Sequence, residues 1–293
     1  MTGQIAVALT IAGSDSGAGA GIQADLKTFA AFGVYGVSAI TAVTAQNTLG
    51  VRAIHLVPAA VVAAQIDAIF DDFDVAAVKI GMLVAPQIVE VVADRLRRLP
   101  LRLLSPAGEE AGAEEGGRVA PGPMKAFVVY DPVMTASSGD ALSSEGFIDS
   151  IRTSILPLVD CLTPNLPEAG ALLGEAEARS EETMVAQGRA LIALGPRAVL
   201  MKGGHLNGPE AADLLVTRDQ MRRFSSARIP SKNLHGTGCV LSAAIAARIA
   251  LGDPLLEATA IAKTFVARAI EAGREATFGH GRGPLMPVPW RGE

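Results

Sequence analysis

The strongest constraint on the fold of this chain is an alternation. Short, β-branched apolar runs are separated by longer stretches whose apolar residues recur at helical spacing. Strand-like runs fall at 6–11, 36–43, 77–80, 126–131, 161–163 and 198–201; helix-like stretches fall at 23–32, 59–70, 86–99, 144–156 and within 183–194. Strands alternating with helices of this length build βαβ units, so the pattern predicts an α/β fold with a mostly parallel central sheet covered by helices. Sheets of this kind bind ligands beyond the carboxyl ends of their strands. The polar residues that follow the runs gather at that edge: Gly13-Ser14-Asp15, Gln46-Asn47, Gly81-Met82, Asp131, Asn165 and Lys202-Gly203-Gly204. A single domain over 1–293 accommodates the whole pattern. The segment at about 101–124 is rich in Gly, Pro, Ala and Glu and lacks a hydrophobic period, so a flexible insertion is expected there. A domain linker is the competing reading, but the βα pattern continues unchanged on both sides.

Charge and cysteine usage narrow the partners. A net charge of −5 supplies no basic field for nucleic acid or an anionic membrane, so a small-molecule partner is expected. Cys161 and Cys239 form neither a C-x-x-C pair nor a disulfide framework, which fits a reducing, cytoplasmic setting. The apolar N-terminal run is strand-length, has no basic residues before it and ends in a Gly/Ser turn, so it reads as a strand and not as a signal peptide. No apolar stretch approaches the roughly 20 residues that cross a bilayer. A soluble protein is expected.

Four motifs hold the candidate chemistry. His235-Gly236-Thr237-Gly238-Cys239 precedes an Ala-rich helix, and glycines at a helix start let backbone N–H groups and the helix dipole receive an anion. Taken alone, the same turn could simply cap a helix. Thr163-Pro164-Asn165-Leu166-Pro167-Glu168 sets an amide and a carboxylate three residues apart after a strand. Such oxygen donors suit hydrated Mg²⁺, or else Glu168 merely sits in the first turn of a helix. Lys202, at the end of an apolar strand, could neutralise phosphate charge or could simply be a solvated surface lysine. Asp131, followed by proline, is aimed outward at the strand end as an outer metal ligand. The glycine-rich turn 13–21 tempts a dinucleotide reading, but G-x-G-x-x-G fails at its third glycine and no acidic ribose ligand follows, so an NAD-dependent oxidoreductase is the weakest alternative. Asp25, one turn into the next helix, either bonds a small polar ligand or offsets the helix dipole.

These stretches in order, with Gly19-Ala20-Gly21-Ile22-Gln23-Ala24-Asp25, Thr44-Ala45-Gln46-Asn47-Thr48, Lys79-Ile80-Gly81-Met82-Leu83 and Asp131-Pro132-Val133-Met134, closely resemble the hydroxymethylpyrimidine and phosphomethylpyrimidine kinase family, the thiamine-biosynthesis branch of the ribokinase-like superfamily. The resemblance covers nearly all of the chain outside the insertion. It implies a ribokinase-like three-layer α/β/α sandwich, a homodimer, and ATP-dependent phosphorylation of 4-amino-5-hydroxymethyl-2-methylpyrimidine and then of its monophosphate. It further implies that Gln46 reads the aminopyrimidine edge in a pocket shaped by Gly13, Asp25 and Met82. Asn165 and Glu168 would hold Mg²⁺ through water with Asp131 nearby. Lys202 would contact nucleotide phosphates, Gly236, Thr237, Gly238 and Cys239 would form the anion hole, and Lys263 on the last long helix would lie by the nucleotide. The wider superfamily has aspartate as base where this chain has Cys239. A thiol at a helix N-terminus has a lowered pKa and could accept the proton, so Cys239→Ala is expected to impair the first transfer more than the second. His205, His235 and His280 show no metal-ligand spacing and are read as loop residues without a catalytic role. Pyridoxal kinase is the nearest rival, and a non-catalytic pyrimidine sensor is the rival from another class.

Overall fold

The computed structural model describes residues 5–98, 126–134, 146–204, 206 and 208–289. The expected insertion and His205 lie outside the described residues. The chain runs β1 (Val7–Asp15), α1 (Gly21–Ala31), β2 (Tyr35–Asn47), β3 (Gly50–Leu56), α2 (Ala59–Phe70), β4 (Val75–Ile80), α3 (Pro86–Arg97), β5 (Phe127–Tyr130) and α4 (Phe147–Ser150). It continues through β6 (Cys161–Leu162), α5 (Leu166–Leu173), α6 (Glu181–Ile192), β7 (Ala198–Lys202), β8 (Glu210–Thr217), β9 (Met221–Ala227), α7 (Thr237–Ala250) and α8 (Leu255–Gly273). After α4 the backbone widens into a π turn over Ile151–Ile155 and tightens into a 3-10 turn over Leu156–Leu158, where Pro157 cannot continue a regular helix.

The described strands form one sheet in the order β3-β2-β1-β4-β5-β6-β7-β8-β9. From β2 to β7 the neighbouring pairs are parallel, while β3, β8 and β9 join antiparallel at the two edges. The central parallel strands, β1 and β4 to β7, are buried on both faces, as their continuous Val/Ile/Ala runs require, while β2 is partly exposed. Phe29, Phe265 and Val240 from α1, α8 and α7 pack one face. Ile66, Val89, Leu172 and Leu191 from α2, α3, α5 and α6 pack the other. The result is the three-layer α/β/α sandwich. Helix α7 owes its close approach to the sheet to small residues, with Ala243, Ala244, Ala246 and Ala247 all fully buried.

The sequence did not announce the antiparallel hairpins. Strand β3 and strand β9 are largely exposed, so their residues lack the apolar run that marks the parallel strands. The topology has a further consequence. The chain leaves β1 towards β2 and β3, then returns to the opposite side of β1 as β4. That reversal opens a crevice between the ends of β1 and β4, the place where ligands enter sheets of this type.

Candidate active site

A cavity of about 580 Å³ lies along the carboxyl edge of the sheet. Residues at the ends of β1 and β2 line one end, the start of α7 lines the middle, and β8, β9 and α8 line the other end.

At the first end, Asp15 closes β1 and gathers the following turn. Its Oδ1 accepts the N–H of Gly17 at 2.8 Å, and its Oδ2 accepts those of Gly19 at 3.0 Å and Ala20 at 2.9 Å. His235 Nε2 lies 3.1 Å from the same Oδ2. Burial pushes the Asp15 carboxyl up, but His235 and the N–H groups of Gly17 and Ala20 outweigh it and hold the pKa below the ordinary value. Gln46 reaches from β2, with its carboxamide 3.1 Å from His235 Nε2 and 3.3 Å from Thr44 Oγ1. Ser16 fixes the Gln46 backbone, donating to its carbonyl at 2.6 Å and accepting from its N–H at 2.8 Å. Gln23 on α1 accepts the Asp15 N–H at 2.9 Å and donates to Ser14 Oγ at 2.7 Å. Met82 enters from the turn after β4, where Thr41 Oγ1 donates to its carbonyl at 2.6 Å. A Cβ on Gly13 would collide with the Met82 methyl group, so glycine is what allows Met82 to lie across the pocket floor.

The segment after α8 closes this end from outside. Gly281 N–H donates to Thr48 Oγ1 at 3.2 Å, Arg282 N–H donates to the Thr48 carbonyl at 2.9 Å, and His235 N–H donates to the Gly283 carbonyl at 3.1 Å. His235 also bridges Pro284 in a strand-like pairing.

In the middle, Gly236 caps α7 with φ 82°, a left-handed conformation that side chains rarely adopt. Thr237 N–H turns back to the Leu234 carbonyl at 3.3 Å, and the next N–H groups, of Gly238 and Cys239, have no carbonyl within the helix to bond and lie at the cavity wall. Lys202, at the end of β7, donates to Asp131 Oδ1 at 2.6 Å and lies 3.7 Å from Glu168 Oε2. A Cβ on Gly238 would sit 3.0 Å from Lys202 Nζ and 3.3 Å from Asp131 Oδ2, which shows how closely the helix start faces this cluster. Burial would favour neutral Lys202, but Asp131 and Glu168 outweigh it and raise its pKa. Burial pushes Glu168 up to about 7, against the pull of Lys202. Asn165 and Glu168 cap α5 reciprocally: Asn165 Oδ1 accepts from Glu168 N at 2.8 Å, and Glu168 Oε2 accepts from Asn165 N at 2.7 Å. At the far end, Lys263 on α8 donates to Asp213 Oδ2 at 2.6 Å, and Asp213 Oδ1 accepts the Gly203 N–H at 3.0 Å. Apolar Ile229, Val266 and Ile270 complete that end.

Thus Gly13, Gln46, Met82, Asp131, Asn165, Glu168, Lys202, Gly236, Thr237, Gly238, Cys239 and Lys263 all line one cavity. Asp25 does not. Its carboxylate is fully buried, bound to Lys79 Nζ at 2.8 Å and to Thr10 Oγ1 at 2.6 Å, and Lys79 stands between it and the cavity. Burial raises the Asp25 pKa, with Lys79 and Thr10 opposing. Cys239 needs a second correction. The residue lines the cavity, but burial pushes the thiol up to about 11; Lys79 pulls it down, and Asp25 and Asp131 push it further up. The helix-terminus argument for a low pKa loses to desolvation, so at neutral pH Cys239 is a thiol. A third concerns His235, which is no idle loop residue but touches both Asp15 and Gln46. Lys79, which sequence reasoning passed over, faces the cavity too; its place at the end of β4 was the available signal. Cys161 is buried, with its thiol pushed up to about 12, in keeping with an inert residue.

Among the described residues, no group of three or more His, Cys, Asp and Glu side chains is arranged to grip a metal directly. The donors fit a hydrated cation instead. Asp131 and Glu168 set two carboxylates against the one ammonium of Lys202, and a Mg²⁺ that keeps its waters needs no closer cage.

A layered sheet of this kind, with a glycine-capped helix facing a lysine–carboxylate cluster across a shared cavity, places the chain among ribokinase-like phosphotransferases. Residues 15–105 and 121–286 match the family model described as phosphomethylpyrimidine kinase, and the chain belongs to that family. It is 48% identical over 280 residues to the hydroxymethylpyrimidine/phosphomethylpyrimidine kinase of Rhizobium meliloti, covering 96% of each. The crystal structure of phosphomethylpyrimidine kinase from Clostridium difficile matches with TM-score 0.74 and 37% identity, over 91% of this chain and 100% of that one. Pyridoxal kinase from Staphylococcus aureus in complex with AMP-PCP and pyridoxal matches with TM-score 0.81 at 28% identity, over 99% of this chain and 96% of that one. The backbone is thus common to both kinds of kinase, and side chains must decide between substrates.

Proposed function

We propose that this chain transfers the γ-phosphoryl group of ATP first to the hydroxymethyl oxygen of 4-amino-5-hydroxymethyl-2-methylpyrimidine and then to the resulting monophosphate, as a step of thiamine biosynthesis. The observation that carries the reading is the shared cavity: the Gln46 pocket opens into the same space as the start of α7 and Lys202. Gln46 donates and accepts at once, as an exocyclic amine beside a ring nitrogen requires. Met82 and Gly13 shape the apolar floor beneath the ring. Lys202 and the first N–H groups of α7 neutralise phosphate charge where it develops, and Lys263 lies at the nucleotide end. Asp131, Glu168 and Asn165 would hold Mg²⁺ through water, and that ion supplies further charge neutralisation when bound.

The transition state of phosphoryl transfer is loose, so placement and charge matter more than a strong base. That suits a site whose Cys239 is a neutral thiol at pH 7. In the second transfer the acceptor is a phosphate monoester with a second pKa of about 6, already ionised. The free cysteines support a reducing, cytoplasmic setting. A homodimer belongs to the same reading, and size-exclusion chromatography with light scattering checks it. A coupled ATP assay tests the function: hydroxymethylpyrimidine and its monophosphate should stimulate turnover and pyridoxal should not. Turnover with pyridoxal alone would replace this reading with the pyridoxal kinase one; pyrimidine binding without turnover would favour a sensor.

A further inference from the structure

The side chains around Gln46 fix where each hydrogen must go. Asp15 Oδ2 already accepts from Gly19 and Ala20, and His235 Nε2 stands 3.1 Å from it. Opposite an ionised carboxylate oxygen, that ring nitrogen must bear hydrogen. It therefore cannot accept one from Gln46, whose amide lies 3.1 Å away. The atom of Gln46 that faces His235 must be its carbonyl oxygen, sharing the Nε2–H with Asp15.

A second count, made from the other end of the amide, agrees. Thr44 Oγ1 lies 2.9 Å from the carbonyl oxygen of Ser14, which can only accept, so the one hydroxyl hydrogen points there. At 3.3 Å from the other terminal atom of Gln46, Thr44 must then accept, and that atom must be the amide nitrogen. As placed, Nε2 faces His235 and Oε1 faces Thr44. Exchanging these two atoms, which are nearly alike in shape, satisfies both counts at once.

In this orientation Oε1 keeps one lone pair and Nε2 keeps one N–H for a ligand. A free glutamine reads an amine beside a ring nitrogen in one rotamer and a carbonyl beside a ring N–H in the flipped one. A glutamine held at both ends reads a single edge. We propose that His235, fixed by Asp15, is a positioning residue that locks the Gln46 amide and makes the pocket select a 4-aminopyrimidine over its 4-oxo counterpart. The inference rests on the substrate reading above and adds to it the origin of that selectivity.

The test is calorimetric titration of the wild-type protein, His235→Ala and His235→Gln with 4-amino-5-hydroxymethyl-2-methylpyrimidine and with its 4-oxo analogue. Glutamine puts an N–H near the position of the histidine Nε2. Wild type should strongly prefer the amino compound. In His235→Ala the preference should fall by about 10- to 100-fold, the scale set by a buried polar group left without its partner, with the 4-oxo compound binding more tightly than it does to wild type. His235→Gln should stay near wild type. A merely structural histidine would weaken both ligands together and leave the ratio unchanged, which would overturn the inference, as would a His235→Gln ratio as low as that of His235→Ala. Wild type that binds both compounds equally sinks the inference alone. Wild type that binds neither sinks the substrate reading with it.

Discussion

Two lysines approach the start of α7, each bound to an aspartate, and they differ in what else they can reach. Lys79 and Asp25 are both fully buried, one cation to one anion, with Thr10 as the only further hydrogen-bond partner found for the pair among the described residues. Lys202 keeps 13% of its side chain exposed to the cavity and has a second carboxylate, Glu168, beside Asp131. The first pair is balanced in charge and, although Lys79 touches the cavity wall, acts as a strut between β4 and α1. The second has an acid in excess and an open side, the features that suit the phosphate contact proposed for Lys202. Burial alone does not tell the two lysines apart; the surplus carboxylate and the open side do.

The sharpest way to break this comparison is Lys79→Met. It strands Asp25 in the core and should cost about 3–5 kcal/mol of stability in urea unfolding, most of which returns when Asp25→Leu is added. A stable but inactive Lys79→Met protein would move Lys79 from strut to reacting group. Lys202→Met should lower kcat by about 10²–10³-fold, the loss typical of a donor aimed at developing charge. Its stability should suffer less than that of Lys79→Met, because Glu168, already pushed up to about 7, can take a proton and relieve the site. Equal losses of stability in the two variants would erase the distinction.

Cys239 lies between the lysines and tests their reach. At neutral pH, Cys239→Ala should slow both transfers by similar factors, below the roughly 10² expected for loss of a working general base. The first transfer should become the more affected only as the pH is raised towards about 11, where the thiol ionises. A first-transfer defect already dominant at pH 7 would restore the low-pKa thiol. The smallest effect belongs to Asp15. Its folded pKa is depressed, so its contribution to stability is complete above the ordinary value of 3.8 and is lost as pH falls through the lower folded value. Acid titration of thermal stability should show that loss in wild type and not in Asp15→Asn.

The sequence made the parallel strands legible, because the central ones are buried on both faces and must be continuous apolar runs, and it placed Lys202 and Asn165 after strands and the Gly236 turn at a helix start. It hid β3 and β9 because exposed edge strands have no such run. Asp25 looked accessible because its seclusion depends on Lys79, 54 residues away. His235 looked idle because Asp15 and Gln46 stand 220 and 189 residues from it. Motifs report which groups are present; which of them face one another is settled only by the folded chain.

The segment after α8 adds a matter of timing. Because Gly281 and Arg282 tie down Thr48, and Gly283 holds the His235 backbone, the Gln46 end of the cavity joins the turn after β2 to residues made 233 positions later. Domains emerge from the ribosome N-terminal end first. A nascent chain can therefore lay down its sheet while His235 still lacks its backbone brace from Gly283, so this end of the cavity is completed after the strands that wall it.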